Sequence, residues 1–232
     1  ENHRVSEWLG YLGESKTKQV PLIRYYYADK EDMFDAHSYN KGGLTLNLLR
    51  DYVGDDAYFA TMKLYLNKHQ YQPVEVHDLR MAFEQVTGQD LNWFFNQWFM
   101  KPGHPVLELS RSYDAERGAY KIEVTQTQQD GEKPIYRIPV NVDVYYADRV
   151  DRETFVITEA EQTLSIRTTE KPLLVVFDAT HTLPAVIKDE LSVAEYVHQY
   201  KNGKTFRDQY DALIGLAKQY GDDEAKNTFY EA

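Results

Sequence analysis

The 232-residue sequence contains no cysteine. That absence removes disulfides, thiolate metal sites and thiol nucleophiles. Long hydrophobic runs are also missing. The longest purely aliphatic and aromatic stretch is Leu173 to Phe177, far short of the ~20 residues of a membrane-spanning helix. Positive charge is in deficit: 26 Lys and Arg face 37 Asp and Glu, a net charge of −11. The acidity runs along the whole chain, and no basic patch or tail breaks it. Nucleic acid and anionic lipid are therefore not expected partners. Global disorder is excluded as well, because 42% hydrophobic and 27% charged residues are ordinary globular proportions. Aromatics are plentiful instead, with 19 Tyr, 10 Phe and 3 Trp. The chain opens on Glu1 rather than Met with no signal pattern, so a processed or excised piece is the expectation.

The hydrophobic period changes twice. From about Ser38 to Met100 it is helical. Ser38 is expected to cap a helix carrying Leu44, Leu48, Leu49 and Tyr52, stopped by Gly54. Asp55 opens a second helix with Tyr58, Phe59, Met62, Tyr65 and Leu66. A third follows Val76 and stops at Gly88, and Asp90 caps a fourth over Leu91–Phe99. Lys101-Pro102-Gly103-His104-Pro105 then breaks the chain. After the break the period is two. Strands are expected at Val106–Tyr113, around Tyr120–Val124, at Ile138–Tyr146, Thr154–Ile157, Thr163–Arg167 and Leu173–Phe177, with turns at Gly118 and Asp130-Gly131. Six or so short strands at that spacing read as an antiparallel sandwich, with Pro139 at an edge or a bulge. From about Leu191 helices return. Val193, Tyr196, Val197 and Tyr200 form one face, Asn202-Gly203 a turn, and Phe206, Tyr210, Leu213, Ile214 and Ala217 the face of a second helix. A third helix opens at Gly221-Asp222.

Chemistry is sparse by motif. No two of the seven histidines lie three to five residues apart, so no helix face presents a His-x-x-x-His pair. They read as solvated loop histidines. Gly-x-Ser-x-Gly, a phosphate-cradling glycine loop and a Cys nucleophile are all missing. The Asp55-Asp56 and Asp222-Asp223 pairs open helices, where they favour the macrodipole. Trp93-Phe94-Phe95-Asn96-Gln97-Trp98-Phe99 reads as a helix filling a core rather than a sugar platform.

One constellation stands out. The run Phe34-Asp35-Ala36-His37-Ser38-Tyr39-Asn40-Lys41-Gly42-Gly43, followed by the aliphatic Leu44 to Leu49, resembles a signature of the aminopeptidase N family of zinc metallopeptidases, the gluzincins. That pattern is Tyr-x-Lys-Gly at a helix start, behind an aromatic-Asp pair. The likeness continues in register through Gly54-Asp55 and Phe59, Tyr65-Leu66, His69, Asp78-Leu79, Thr87 to Leu91, Phe95 to Trp98 and Pro102 to Pro105, and more loosely beyond. Asn40 replaces the acidic residue often found after the Tyr, and Gly43 replaces a commoner Ala.

The resemblance implies a multidomain α and β fold. Residues 1–103 would be the helical second half of a thermolysin-like catalytic domain, 104–182 an antiparallel β-sandwich, and 183–232 the start of a C-terminal α-helical, helix-repeat domain. In the family zinc is held by His-Glu-x-x-His and a later Glu, and neither motif occurs in this sequence. The chain therefore resembles a fragment that starts after the zinc motif and ends within the helical domain. It is expected to hold no metal itself and to be inactive alone. The parent would be a zinc-dependent aminopeptidase hydrolysing N-terminal residues from peptides. Tyr39 is the one catalytic residue the resemblance carries over, donating to the carbonyl oxygen as negative charge develops on it. The competing reading is a non-catalytic interaction module on the same fold.

Overall fold

The computed structural model describes residues 2–128 and 134–231, so the expected Asp130-Gly131 turn lies outside the described residues. The helical part comprises α1 (Asn2–Ser15), α2 (Gly42–Val53), α3 (Asp55–Lys68), α4 (Val76–Thr87) and α5 (Asn92–Trp98). α1 was not expected. Its signal was legible, because Val5, Trp8, Tyr11 and Ser15 recur at helical spacing and Val5, Tyr11 and Ser15 are buried. Gly10 and Gly13 interrupt that pattern and weaken local helix propensity.

The stops behave as their chemistry requires. Gly54 ends α2 at φ 85° and Gly88 ends α4 at φ 69°, both in the region that favours glycine. Ser38, however, does not cap a helix. It lies inside a π-helical turn, His37–Lys41, that runs straight into α2. Asp90 lies just before α5, with its carboxylate accepting from Asn92 N–H at 2.9 Å.

Among the described residues seven strands form the sandwich: β1 (Val106–Asp114), β2 (Ala119–Gln126), β3 (Ile138–Tyr145), β4 (Val150–Ile157), β5 (Glu161–Arg167), β6 (Leu174–Phe177) and β7 (Val186–Lys188). One sheet has the order β5-β2-β1-β7 and the other β4-β3-β6. All pairings are antiparallel except β1 with β7, which is parallel. β7 was not expected, because three residues carry no measurable alternation. Pro139 is not on an edge strand: β3 is central. β6 pairs with β3 only over Val142–Tyr145, so at Pro139 the missing N–H faces no neighbour.

The two parts share one core. Leu49, Phe83, Leu91, Phe94 and Trp98 are continuous with Leu107, Ile122, Tyr136, Val142 and Val144. Trp98 lies 4.9 Å from Tyr136, centroid to centroid, and Gln97 exchanges two hydrogen bonds with the Arg137 backbone at 2.8 and 2.9 Å. The aromatic stretch is thus core, since Phe94, Phe95 and Trp98 are buried.

The C-terminal helices are α6 (Val193–Asn202), α7 (Phe206–Lys218) and α8 (Asp223–Glu231). Of the apolar residues expected along α7, Tyr210 and Leu213 are half-buried but the rest face outward. Phe206, Ile214 and Ala217 are exposed, whereas Asp208, Ala212, Gly215 and Leu216 are buried. Gly215 decides this, because the Tyr196 ring of α6 lies where its Cβ would be, at 2.3 Å. Only a bare backbone permits that crossing.

A short loop ties all three parts together. Arg4 donates to the carbonyls of Thr180 and His181, and Thr180 and Thr182 both donate to Asp51, at 3.1 Å. The His181 ring bonds Asp208 of α7 at 2.8 Å. Within the loop Asp178 is buried and accepts from Thr182 and Leu183 N–H. Burial pushes its carboxyl up to about 7. Among the described residues no helix is long and apolar enough to cross a membrane.

Candidate functional site

Tyr39 occupies the middle of the π-helical turn and is 62% exposed. Its ring packs against Phe34, also exposed, at a centroid distance of 6.1 Å. Among the described residues its hydroxyl has no hydrogen-bond partner. Single π-turns concentrate at functional sites because the wider ring of the i→i+5 bond redirects side chains at a cost in packing. Here Lys41 N–H bonds Ala36 O at 2.9 Å, and Gly42 N–H bonds His37 O.

The residues on either side of Tyr39 point inward, which is why Tyr39 points out. His37 is fully buried. Glu14 of α1 accepts from His37 N–H at 3.2 Å and from Nδ1 at 2.7 Å. Val20 N–H donates to Nε2 at 3.4 Å, which fixes the tautomer with the proton on Nδ1. Burial depresses the imidazole below its ordinary value, and Glu14 opposes that without reversing it. Lys41 is 1% exposed, and its ammonium has no hydrogen-bond partner among the described residues. It faces the Tyr11 ring at 5.7 Å, and burial pushes it down to about 8. Tyr11 is itself fully buried and hydrogen-bonded to His104 at 3.0 Å.

Asp35 anchors the other side. Arg24 forks onto it at 2.6 and 3.2 Å, Lys18 reaches it at 2.5 Å, and Ser38 N–H donates to it at 2.8 Å. Burial alone would raise this carboxyl. The bonds from Arg24, Lys18 and Ser38 together prevail and hold it well below the usual carboxylate range. Three histidines therefore depart from their expected solvated loops: His37 and His104 are buried and His181 is hydrogen-bonded to Asp208.

Glu14, Asp35 and His37 bring three potential metal-ligand atoms within 4.8 Å of one another. They do not fit a zinc site. Glu14 and His37 are spent on each other and on backbone, and Asp35 is neutralised by two cations. A dication there would face Lys18 and Arg24. No other group of three such ligands occurs among the described residues.

Residues 14–98 match the peptidase family M1 domain, and 103–190 match a domain of unknown function (DUF3458) with an Ig-like fold. Over these residues the chain resembles aminopeptidase N-like members of the M1 family. The matches cover the π-turn with Tyr39 and the sandwich in turn. Among similar proteins, a probable aminopeptidase 1 of Sulfurisphaera tokodaii is 24% identical over 223 residues, 92% of this chain and 27% of that protein. Aminopeptidase N of Lactococcus lactis subsp. lactis is 37% identical over 76 residues, 32% of this chain and 9% of that protein. Tricorn protease-interacting factor F2 of Thermoplasma acidophilum is 32% identical over 110 residues, 46% of this chain and 14% of that protein. The crystal structure of Legionella pneumophila aminopeptidase A in complex with aspartic acid has the same fold. Its TM-score is 0.78 at 13% identity, over 97% of this chain and 27% of that one. The chain thus spans about a quarter or less of the length of these relatives.

Proposed function

We propose that this chain is part of a zinc-dependent aminopeptidase that hydrolyses N-terminal residues from peptides, and that Tyr39 is its transition-state donor. The observation that supports this is the state of Tyr39: an exposed phenol whose hydroxyl has no hydrogen-bond partner among the described residues, on a π-turn whose other members are pinned or buried. As a peptide carbonyl becomes tetrahedral, charge gathers on its oxygen, and a fixed neutral donor binds that oxygen better than the starting carbonyl. A phenolic O–H can donate a hydrogen bond to the developing oxyanion.

The division at 1–103, 104–182 and 183–232 belongs to the same proposal, with β7 carrying the sandwich on to Lys188. Zinc dependence of the parent rests on the family resemblance. The residues of this chain do not supply the site, and the isolated chain is proposed to be inactive. A zinc titration of the isolated chain, with an aminoacyl-chromophore assay, tests that part: we expect neither stoichiometric zinc nor turnover, and finding both overturns it. The role of Tyr39 is tested in the complete enzyme by Tyr39→Phe. The expected loss is ~10²–10³ in kcat, with the unfolding midpoint nearly unchanged because the hydroxyl is unbonded within the fold. Near-normal turnover contradicts the role.

A further inference from the structure

We infer that Asp35 and Arg24 are a positioning pair for Tyr39, setting where its phenol stands without touching substrate. This rests on the catalytic reading of Tyr39. Among the described residues the Tyr39 hydroxyl has no hydrogen-bond partner and its one aromatic contact is the Phe34 ring, so its backbone is what sets its placement. That backbone is gripped at two consecutive residues. Asp35 O accepts from Tyr39 N–H at 3.1 Å, and the Asp35 carboxylate accepts from Ser38 N–H at 2.8 Å. Arg24 then bridges the assembly: one fork arm holds Asp35, and the same Nη2 that reaches Asp35 also reaches Ser38 Oγ at 2.9 Å.

The pair is built to be rigid. The Arg24 and Asp35 side chains are 9% and 5% exposed. A planar guanidinium in a bidentate pair fixes orientation as well as distance, which an ammonium cannot do. Arg24 is itself moored, because the neighbouring Ile23 N–H bonds Phe99 O at the end of α5, at 3.0 Å. The shared aromatic core thus connects to Tyr39 through Ile23, Arg24, Asp35 and Ser38. A fold that needed only an ion pair in this connector could use Lys18 and Asp35 alone. The fork to Ser38 is the part that concerns Tyr39.

Kinetics of the complete enzyme with an aminoacyl-chromophore substrate test the pair. Arg24→Lys keeps the charge beside Asp35 but loses the bridge to Ser38. Asp35→Asn and Arg24→Met remove more, and Ser38→Ala removes only one contact. We expect kcat to fall by about tenfold or more for Asp35→Asn and Arg24→Met, less for Arg24→Lys and least for Ser38→Ala, with KM within about twofold. Combining Arg24→Lys with Tyr39→Phe is the deciding case. If Arg24 acts through the phenol, the double variant is no slower than Tyr39→Phe alone; multiplied losses reveal a general structural role and overturn the inference. Unchanged kcat in the Arg24 and Asp35 variants, or a rise in KM alone, overturns it too. If Tyr39→Phe is itself inert, the catalytic reading fails and the pair has nothing to position. If Asp35→Asn does not fold, Arg24→Lys and Ser38→Ala still separate the two outcomes.

Discussion

In the sandwich, Arg111 is largely buried, its side chain 10% exposed, with its guanidinium forked onto Asp189, one arm at 2.7 Å, and with a third bond to Val175 O at 2.7 Å. Beneath Tyr39, Lys41 is buried at least as deeply and has no hydrogen-bond partner among the described residues. Both sites take a cation out of water, which costs several kcal/mol before any pairing. In the sandwich a carboxylate offsets that cost, and the domain gains a lock between β1 and the segment after β7. Around the π-turn the described residues offer the ammonium the face of the Tyr11 ring at 5.7 Å and no hydrogen bond, so the helix that carries Tyr39 is held at some loss of stability. Unbalanced polar groups and irregular helical turns gather where a fold serves chemistry as well as cohesion.

That contrast can be broken in graded steps. Asp189→Ala removes the carboxylate that Arg111 is forked onto, and should destabilise the chain by about 3–4 kcal/mol in urea unfolding. A loss under about 1 kcal/mol would mean that the sandwich does not depend on pairing. Lys41→Met should act in the opposite direction and stabilise by about 2 kcal/mol at pH 7. Its pH dependence sharpens the point. The Lys41 ammonium titrates near 8 in the fold against 10.5 for the ordinary side chain. Between those values the unfolded chain holds the proton and the folded chain does not. Wild-type stability therefore rises with pH across that window, and the Lys41→Met chain lacks the rise. Parallel pH profiles for the two chains would count against an unpaired ammonium. The smallest effect belongs to an exposed pair: Lys188 and Glu108 are 2.7 Å apart but about half exposed. Glu108→Ala should move stability by less than about 0.5 kcal/mol, and a larger shift would show that β1 and β7 depend on it.

Much of the sandwich was legible in the sequence, because Tyr120, Ile122 and Val124 are buried alternately and the strand period leaves little choice. The helix stops at Gly54 and Gly88 were legible for the same local reason, a positive φ. Tyr39 was singled out in the sequence only through resemblance to a family signature. The cluster that holds it was not. Glu14, Lys18 and Arg24 lie 25, 21 and 15 positions upstream of Tyr39 in the numbering, on α1 and an irregular connector, and side-chain bonds across such distances leave no period. Ser38 misled because Ser is both a capping residue and, here, the residue Arg24 grips within a continuous turn. The outward face of α7 misled through Gly215, whose fit against Tyr196 depends on a partner helix that periodicity does not see.

Whether this fold presents the Tyr39 phenol to a developing oxyanion is tested most directly by kcat of Tyr39→Phe in the complete enzyme. The expected result is a fall of ~10²–10³ with the protein as stable as before. Turnover within about twofold of wild type would contradict it.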